Sequence, residues 1–299
     1  MYVKRPVMNK RTCTLGVLLL ILISVLSYVS AQEPTVDLPS KKNFHLFLLA
    51  GQSNMAGRGE IEEQDRVAHP RVLMLSEDRE WIPAVAPIHF DKTVAGVGLG
   101  KSFAIALAEA NPGITIGLIP AACGGSPIES WEPGGFHKHT QSPPYDDAIS
   151  RTRSALKAGT LKGILWHQGE SDSREDRSKQ YEKRLRILVE RFRNEFDDPA
   201  LPIVLGQLGQ FPQKPWDEHK QRVNRAHQEV VHYFSQMAFV SSDGLTPMKD
   251  NTHFDSKSLR LFGQRYAVAY REASEVVKKF KSTARRASGR SAKGRKLED

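Results

Sequence analysis

The chain is poor in cysteine, with two thiols, Cys13 and Cys123, in 299 residues. Two thiols cannot staple a small scaffold or supply a four-thiolate zinc site. Long apolar runs are also missing. The longest, Leu15 to Val29, is shorter than the ~20 residues a spanning helix usually needs. A one-signed body is missing too, although the formal net charge is +9. Residues 1–31 hold four basic groups and no acidic ones, and residues 278–299 hold nine basic and two acidic. That leaves 30 basic and 32 acidic groups between them, a net of −2. The basicity sits at the ends, so the body shows no bias toward nucleic acid. With 39% hydrophobic and 26% charged residues, the composition excludes a wholly disordered or collagen-like chain.

Both ends have distinct signatures. Lys4, Arg5, Lys10 and Arg11 precede the apolar run, and Val29-Ser30-Ala31 follows it before Gln32. That pattern reads as a secretory signal over residues 1–31, so an exported protein is expected. Left uncleaved, the segment would be a membrane anchor. Once it is removed, only Cys123 remains, no intrachain disulfide is possible, and the body must hold by packing. Residues 278–299 mix Lys, Arg, Ser, Ala and Gly with few apolar residues. A disordered tail is expected there, with electrostatic contact to an acidic surface or polysaccharide as the sharper reading.

The body, residues 32–277, is ample for one large domain. Apolar runs at 43–50, 72–75, 114–120, 163–167, 203–208 and 237–241 read as strands, several of them covered on both faces. Phe103, Ala106, Leu107 and Ala110 mark one helix stripe. Tyr181, Leu185, Leu188, Phe192 and Phe196 mark a second, near 176–196. A third holds Leu259, Phe262, Tyr266, Tyr270 and Ala273, opened by Asp255 or Ser256 as cap. Strand–helix alternation predicts an α/β fold, a three-layer α/β/α sandwich with a mostly parallel sheet. Such sheets carry their chemistry just past the carboxyl ends of strands.

Four polar clusters stand there. After the first strand comes Gly51-Gln52-Ser53-Asn54-Met55-Ala56-Gly57, where small neighbours let a serine hydroxyl stand clear and N–H groups point outward. After the third comes Cys123-Gly124-Gly125-Ser126, whose glycines permit close backbone approach. After the fourth comes Trp166-His167-Gln168-Gly169-Glu170-Ser171-Asp172, with an amide donor at Gln168 and Glu170 to order the loop. His167 reads as a structural residue. After the last comes Asp250-Asn251-Thr252-His253-Phe254. An Asp three residues before a His can curl back to accept an imidazole N–H and free the other nitrogen. Each cluster alone is also an ordinary capping turn or loop. Together they supply a nucleophile, a base, an orienter and oxyanion donors.

These four blocks, in this order, closely resemble the sialate O-acetylesterase-like family of the SGNH hydrolases, a branch that includes carbohydrate esterase family 6 acetylxylan esterases. The similarity spans roughly Asn43 to Ala273. The resemblance implies a flavodoxin-like sheet and ester hydrolysis on acetylated carbohydrates, with no metal and no cofactor. It implies Ser53 as nucleophile, His253 as general base and Asp250 as its partner. Its oxyanion hole is the Ser53 N–H, a glycine N–H taken as that of Gly125 over Gly124, and the Gln168 amide. Gln52, Asn54 and Glu170 would support the site. Asn251 stands where the family pattern leads one to expect glycine, and Asn tolerates similar backbone angles.

Other motifs compete weakly. Ala95–Ser102 resembles a phosphate-binding loop but lacks its first glycine and a leading strand, so Lys101 reads as first-turn helix. His137 and His139 have no third ligand at useful spacing. Arg58 and Trp131 could contact a sugar, and Trp131 equally well belongs to the core. A non-catalytic carbohydrate-binding protein and a general short-chain esterase are the rival functions. Specificity is expected in loops 134–144 and 210–216.

Overall fold

The computed structural model describes residues 36–294, with side chains as far as residue 275. The signal and anchor readings of residues 1–31 lie outside the described residues. Among those described, no helix is long and apolar enough to cross a membrane.

Seven strands form one sheet: β1 (Phe44–Gly51), β2 (Val72–Leu75), β3 (Trp81–Pro83), β4 (Thr115–Pro120), β5 (Thr160–His167), β6 (Ile203–Gly206) and β7 (Met237–Val240). Their order is β3-β2-β4-β1-β5-β6-β7. Every pairing is parallel except β2 with β3. The fold is thus the mostly parallel α/β/α sandwich that the sequence predicts. Seven of the eight residues of β1 are buried, as expected for a central strand covered on both faces. β3 escapes the sequence reading because three residues at an antiparallel edge make no periodic pattern. β5 begins at Thr160, earlier than predicted, because Lys162 interrupts its apolar run.

Among the described residues eight α-helices accompany the strands: α1 (Ser53–Ala56), α2 (Glu63–Arg66), α3 (Leu99–Ala110), α4 (Pro144–Ala155), α5 (Glu175–Ser178), α6 (Tyr181–Glu195), α7 (Glu218–Tyr233) and α8 (Ser256–Gly294). On one face α3 and α8 pack together, and Phe47 of β1 sits edge-on to Phe103 and Tyr270, at 5.0 and 4.9 Å between ring centroids. On the other face α6 packs on α7, and Tyr145 of α4 stacks on Phe192 of α6. Helix α4 is hidden in the sequence by Pro143-Pro144, a pair that reads as a breaker, yet Pro144 fits the first turn, where its missing N–H is no loss. Helix α7 carries few buried apolar residues, and its start is set by Asp217, whose side chain accepts from Lys220 N. Asp255 caps α8, accepting from Ser258 N at 2.8 Å.

Helix α8 runs through Gly294, so its last turns fall in the basic segment that begins at residue 278. Lys, Arg and Ala are strong helix formers, and extending an existing helix avoids the cost of nucleation. Residues 295–299 lie outside the described residues. Lys101 is indeed in a helix start, with Nζ donating to the carbonyls of Asp65 and Val67 at 2.7 and 2.8 Å.

What positions the site is the end of β1, between β4 and β5, where the strand order reverses. Gly51 turns the chain there at φ +132°, and a Cβ added to it would lie 2.1 Å from the His167 carbonyl oxygen. No side chain fits. Gln52 N donates to that same carbonyl at 2.9 Å, and Cys123 N donates to Gly51 O at 2.9 Å. The ends of β1, β4 and β5 are thereby tied together. Gly51→Ala is expected to destabilise the protein by about 3 kcal/mol or more, through steric clash and backbone strain. A denaturant melt checks this, and an unchanged midpoint would contradict the packing described.

Candidate active site

Helix α1 opens directly on Ser53. Ser53 Oγ lies 2.8 Å from His253 Nε2, and His253 Nδ1 lies 2.6 Å from Asp250 Oδ2. A carboxylate only accepts, so Nδ1 carries the proton and Nε2 is left to accept from the Ser53 hydroxyl. The other Asp250 oxygen, Oδ1, accepts from Thr252 N and His253 N, both at 2.9 Å. This closes the short turn that the Asp-x-x-His spacing suggests. Burial works to raise the Asp250 carboxyl, but the hydrogen bonds from His253 and Thr252 outweigh it and hold the group below its ordinary range. It therefore stays an acceptor at neutral pH.

The loop carrying His253 is fastened to the serine turn by the next residue, Asn54. Its Nδ2 donates to Thr252 O at 3.1 Å, and its Oδ1 accepts from Phe254 N at 3.1 Å. One buried amide thus grips the backbone on both sides of His253. Asn54 Nδ2 also donates to Glu170 Oε1 at 2.6 Å, which fixes the amide from behind. Glu170 lies 3.5 Å from His167 Nε2. Burial pushes the Glu170 carboxyl up, but His167 and the Asn54 amide prevail and bring it down to about 2. His167 is fully buried, with Nδ1 3.3 Å from Tyr266 Oη, so it is a structural residue as the sequence suggests. Gln52 ties the serine turn to the loop after β5, its Oε1 accepting from Gly169 N and Ser171 N at 3.3 Å.

Ser53 opens on a cavity of about 430 Å³ lined by Arg58, Lys92, Gly125, Met248 and His253 among others. The two loop glycines differ in use. Gly124 N donates to Asp91 Oδ2 at 2.8 Å. The Gly125 N–H has no acceptor among the described residues, and Gly125 takes φ +86°. Asp91 Oδ2 also takes the Arg58 guanidinium at 2.7 Å, while Arg58 Nη1 donates to Gly57 O. Asp91, Lys92 and Met248 carry no motif and escape the sequence reading. A larger cavity, about 560 Å³, lies along α4 between Arg79 and Glu195. It holds no serine–histidine pair, so chemistry and not volume singles out Ser53.

Two candidates are corrected. Gln168 is fully buried, and its Nε2 donates to Ser126 O at 3.0 Å and Asp172 Oδ2 at 2.5 Å. Its Oε1 accepts from Tyr181 Oη at 2.8 Å. An amide with both ends engaged inside the protein is not free to meet an oxyanion; it braces the glycine loop. Trp131 is 1% exposed, donates to Ser126 Oγ at 2.9 Å and packs edge-on to Trp166, which settles it as core. Arg58 lines the cavity as a supporting residue, its guanidinium held in place by Asp91 and the Gly57 carbonyl. Asp172 completes the brace. Its Oδ2 accepts from Ile128 N at 2.9 Å.

A serine hydroxyl, a histidine and a carboxylate in hydrogen-bonded sequence, at the carboxyl edge of a parallel sheet and beside free loop N–H groups, define the class of α/β ester hydrolases. The family described as "Carbohydrate esterase, sialic acid-specific acetylesterase" matches residues 43–272. The chain belongs to that family, and with it to the carbohydrate acetylesterases. An Arabidopsis thaliana protein named as a probable carbohydrate esterase is 30% identical over 259 residues, covering 80% of this chain and 94% of the relative. A solved structure from the same plant has a TM-score of 0.68 at 29% identity, covering 78% of this chain and 99% of its own. A protein of Escherichia coli K12, named as a probable 9-O-acetyl-N-acetylneuraminic acid deacetylase, is 24% identical over 221 residues, 58% of this chain and 65% of its own length.

Two outcomes test these contacts. Asn54→Ala releases the backbone on both sides of His253, and kcat on an acetyl ester is expected to fall about a hundredfold, the effect of roughly 1 Å misplacement. A fall of less than threefold would show that His253 is held without Asn54. Burial raises the Asp172 carboxyl from its ordinary value of 3.8 to about 6 against the pull of the Gln168 amide. In that window the folded protein holds a proton that the unfolded chain has released. The contribution of Asp172 to stability is therefore expected to fall by about 3 kcal/mol as pH rises from about 4 to 6. Comparison of urea melts of wild type and Asp172→Asn isolates the effect, and identical slopes against pH would contradict it.

Proposed function

We propose that this protein removes acetyl groups from carbohydrate hydroxyls through an acetyl-enzyme on Ser53. The observation that carries the proposal is the unbroken chain from Ser53 Oγ through His253 to Asp250, opening on a cavity. Ser53 Oγ attacks the acetyl carbonyl as its proton passes to His253 Nε2. Asp250 holds the imidazole in the required tautomer and steadies the imidazolium. The Ser53 and Gly125 N–H groups receive the oxyanion, each contributing about 3 kcal/mol to lowering the barrier. His253 then gives its proton to the departing sugar oxygen. Water, deprotonated in turn by His253, releases acetate and restores the serine.

The choice of Gly125 over Gly124 is supported by Asp91, which already occupies the Gly124 N–H. Acetylated glycans as substrates are supported by the family and by the relatives' names, and the mostly polar loops around Ser53 suit a short acyl group. Export is part of the proposal and rests on residues 1–31. Contact of the basic C-terminal segment with an acidic surface or polysaccharide rests on its charge.

Acetate release by residues 32–299 from p-nitrophenyl acetate and from a panel of acetylated glycans tests the reading. Ser53→Ala, folded, is expected to lose about 10⁴-fold or more of the rate. Near wild-type release by that variant would remove Ser53 from the mechanism.

A further inference from the structure

A third cavity adjoins the His253 loop. It measures about 440 Å³ and is lined by Gln210, Phe211, Pro212, Pro215, Trp216 and Gln221. Its walls are the kind that bind sugars: a flat aromatic face, two proline rings and two carboxamides. The polar groups are directional. Gln210 Nε2 donates to Asp243 Oδ1 at 3.1 Å, and Gln221 Nε2 donates to Trp216 O at 3.3 Å. Neither carboxamide oxygen has a partner among the described residues. The cleft therefore offers acceptors, which suit hydroxyl donors, and its lining holds no charged side chain. A neutral polyol fits these walls better than a carboxylate does.

The aromatic wall of the cleft is also held in place. Trp216 is half-buried, and its indole N–H donates to Gly209 O at 2.7 Å. Lys220 Nζ donates to the same carbonyl at 3.0 Å and lies 5.7 Å from the indole centroid. The platform needs little ordering when a ligand arrives, which limits the entropic cost of binding. Two contacts join it to the catalytic loop. Phe211 sits edge-on to Phe254, at 5.3 Å between centroids, and Lys214 Nζ donates to Thr252 Oγ1 at 3.0 Å. Phe254 and Thr252 flank His253.

We infer that the Trp216 cleft is a sugar subsite, which holds a neutral neighbouring residue of an oligosaccharide while an acetyl group lies at Ser53. The inference rests on the acetylesterase reading and narrows its substrate to a glycan chain in place of a free monosaccharide. The sugar ring packs on the indole and proline faces, and its hydroxyls donate to the oxygens of Gln210 and Gln221.

Kinetics and binding test this separately. On acetylated xylo-oligosaccharide, Trp216→Ala is expected to raise KM roughly tenfold, equal to 1.4 kcal/mol. On acetylated xylose the change is expected to be much smaller. Trp216→Phe, which keeps an aromatic face, is expected to recover most of the loss. Binding is measured on Ser53→Ala by calorimetry with unacetylated xylohexaose and cellohexaose. Saturable binding that weakens about tenfold on adding Trp216→Ala supports the subsite. Equal affinity with and without Trp216, or tighter binding of an oligogalacturonide, would overturn it. Suppose the wild type hydrolyses esters but treats chain and monosaccharide alike. Then the subsite fails and the esterase reading stands. Suppose instead that no ester is cleaved while xylohexaose binds at Trp216. Then the esterase reading fails, and with it the role of Trp216 beside an acetyl group, leaving a carbohydrate-binding cleft.

Discussion

Because β1 ends in the middle of a parallel sheet, with β4 on one side and β5 on the other, three loops are forced to meet at one place. Each contributes a different chemical part. The turn after β1 brings Ser53, the loop after β4 brings Gly124 and Gly125, and the loop after β5 brings Gln168, Glu170 and Asp172. His253 arrives from the far end of the sheet, past β7. The close approach at Gly51 sets the spacing, since its backbone lies against the His167 carbonyl with no room for a side chain. The parallel strands thus fix the positions, and the loops supply the chemistry.

Loops need a second means of support, and here it is polar. Asn54 grips both sides of His253, Gln168 and Asp172 brace the glycine loop, and Asp91 holds Gly124 beside Arg58. A hydrogen bond of this kind adds only about 1 kcal/mol of net stability. A misplacement of roughly 1 Å at the nucleophile–base pair, by contrast, costs about a hundredfold in rate. On those magnitudes the network matters for geometry more than for stability. The apolar core, with Phe47, Phe103, Phe262 and Tyr266 packed edge to face, carries the weight of folding.

The sequence is most informative where chemistry and backbone demand the same residue. The serine turn, the glycine pair and the Asp-x-x-His turn each follow a strand, and the relay they suggest is the one that assembles. Side-chain direction is less legible. Gln168 sits in a functional block beside Glu170, yet its amide turns inward to Ser126, Asp172 and Tyr181, because a buried carboxamide must satisfy both its ends. Trp131 could not be placed from a single aromatic residue in a loop, and contact with Trp166 decides it. Asp91 leaves no trace in the sequence, since its partners Arg58 and Gly124 lie 33 positions away and only the fold brings them near. Helices α4 and α7 were obscured for opposite reasons, a proline pair at the start of one and a thin apolar stripe in the other.

In the proposed mechanism the acetyl group passes through Ser53. Rapid acid quench during turnover of p-nitrophenyl acetate, followed by peptide mass spectrometry, tests it most directly. One added acetyl group is expected, found on the peptide bearing Ser53 and lost as the substrate is exhausted. An acetyl group on a different residue that forms and decays at the turnover rate would contradict it.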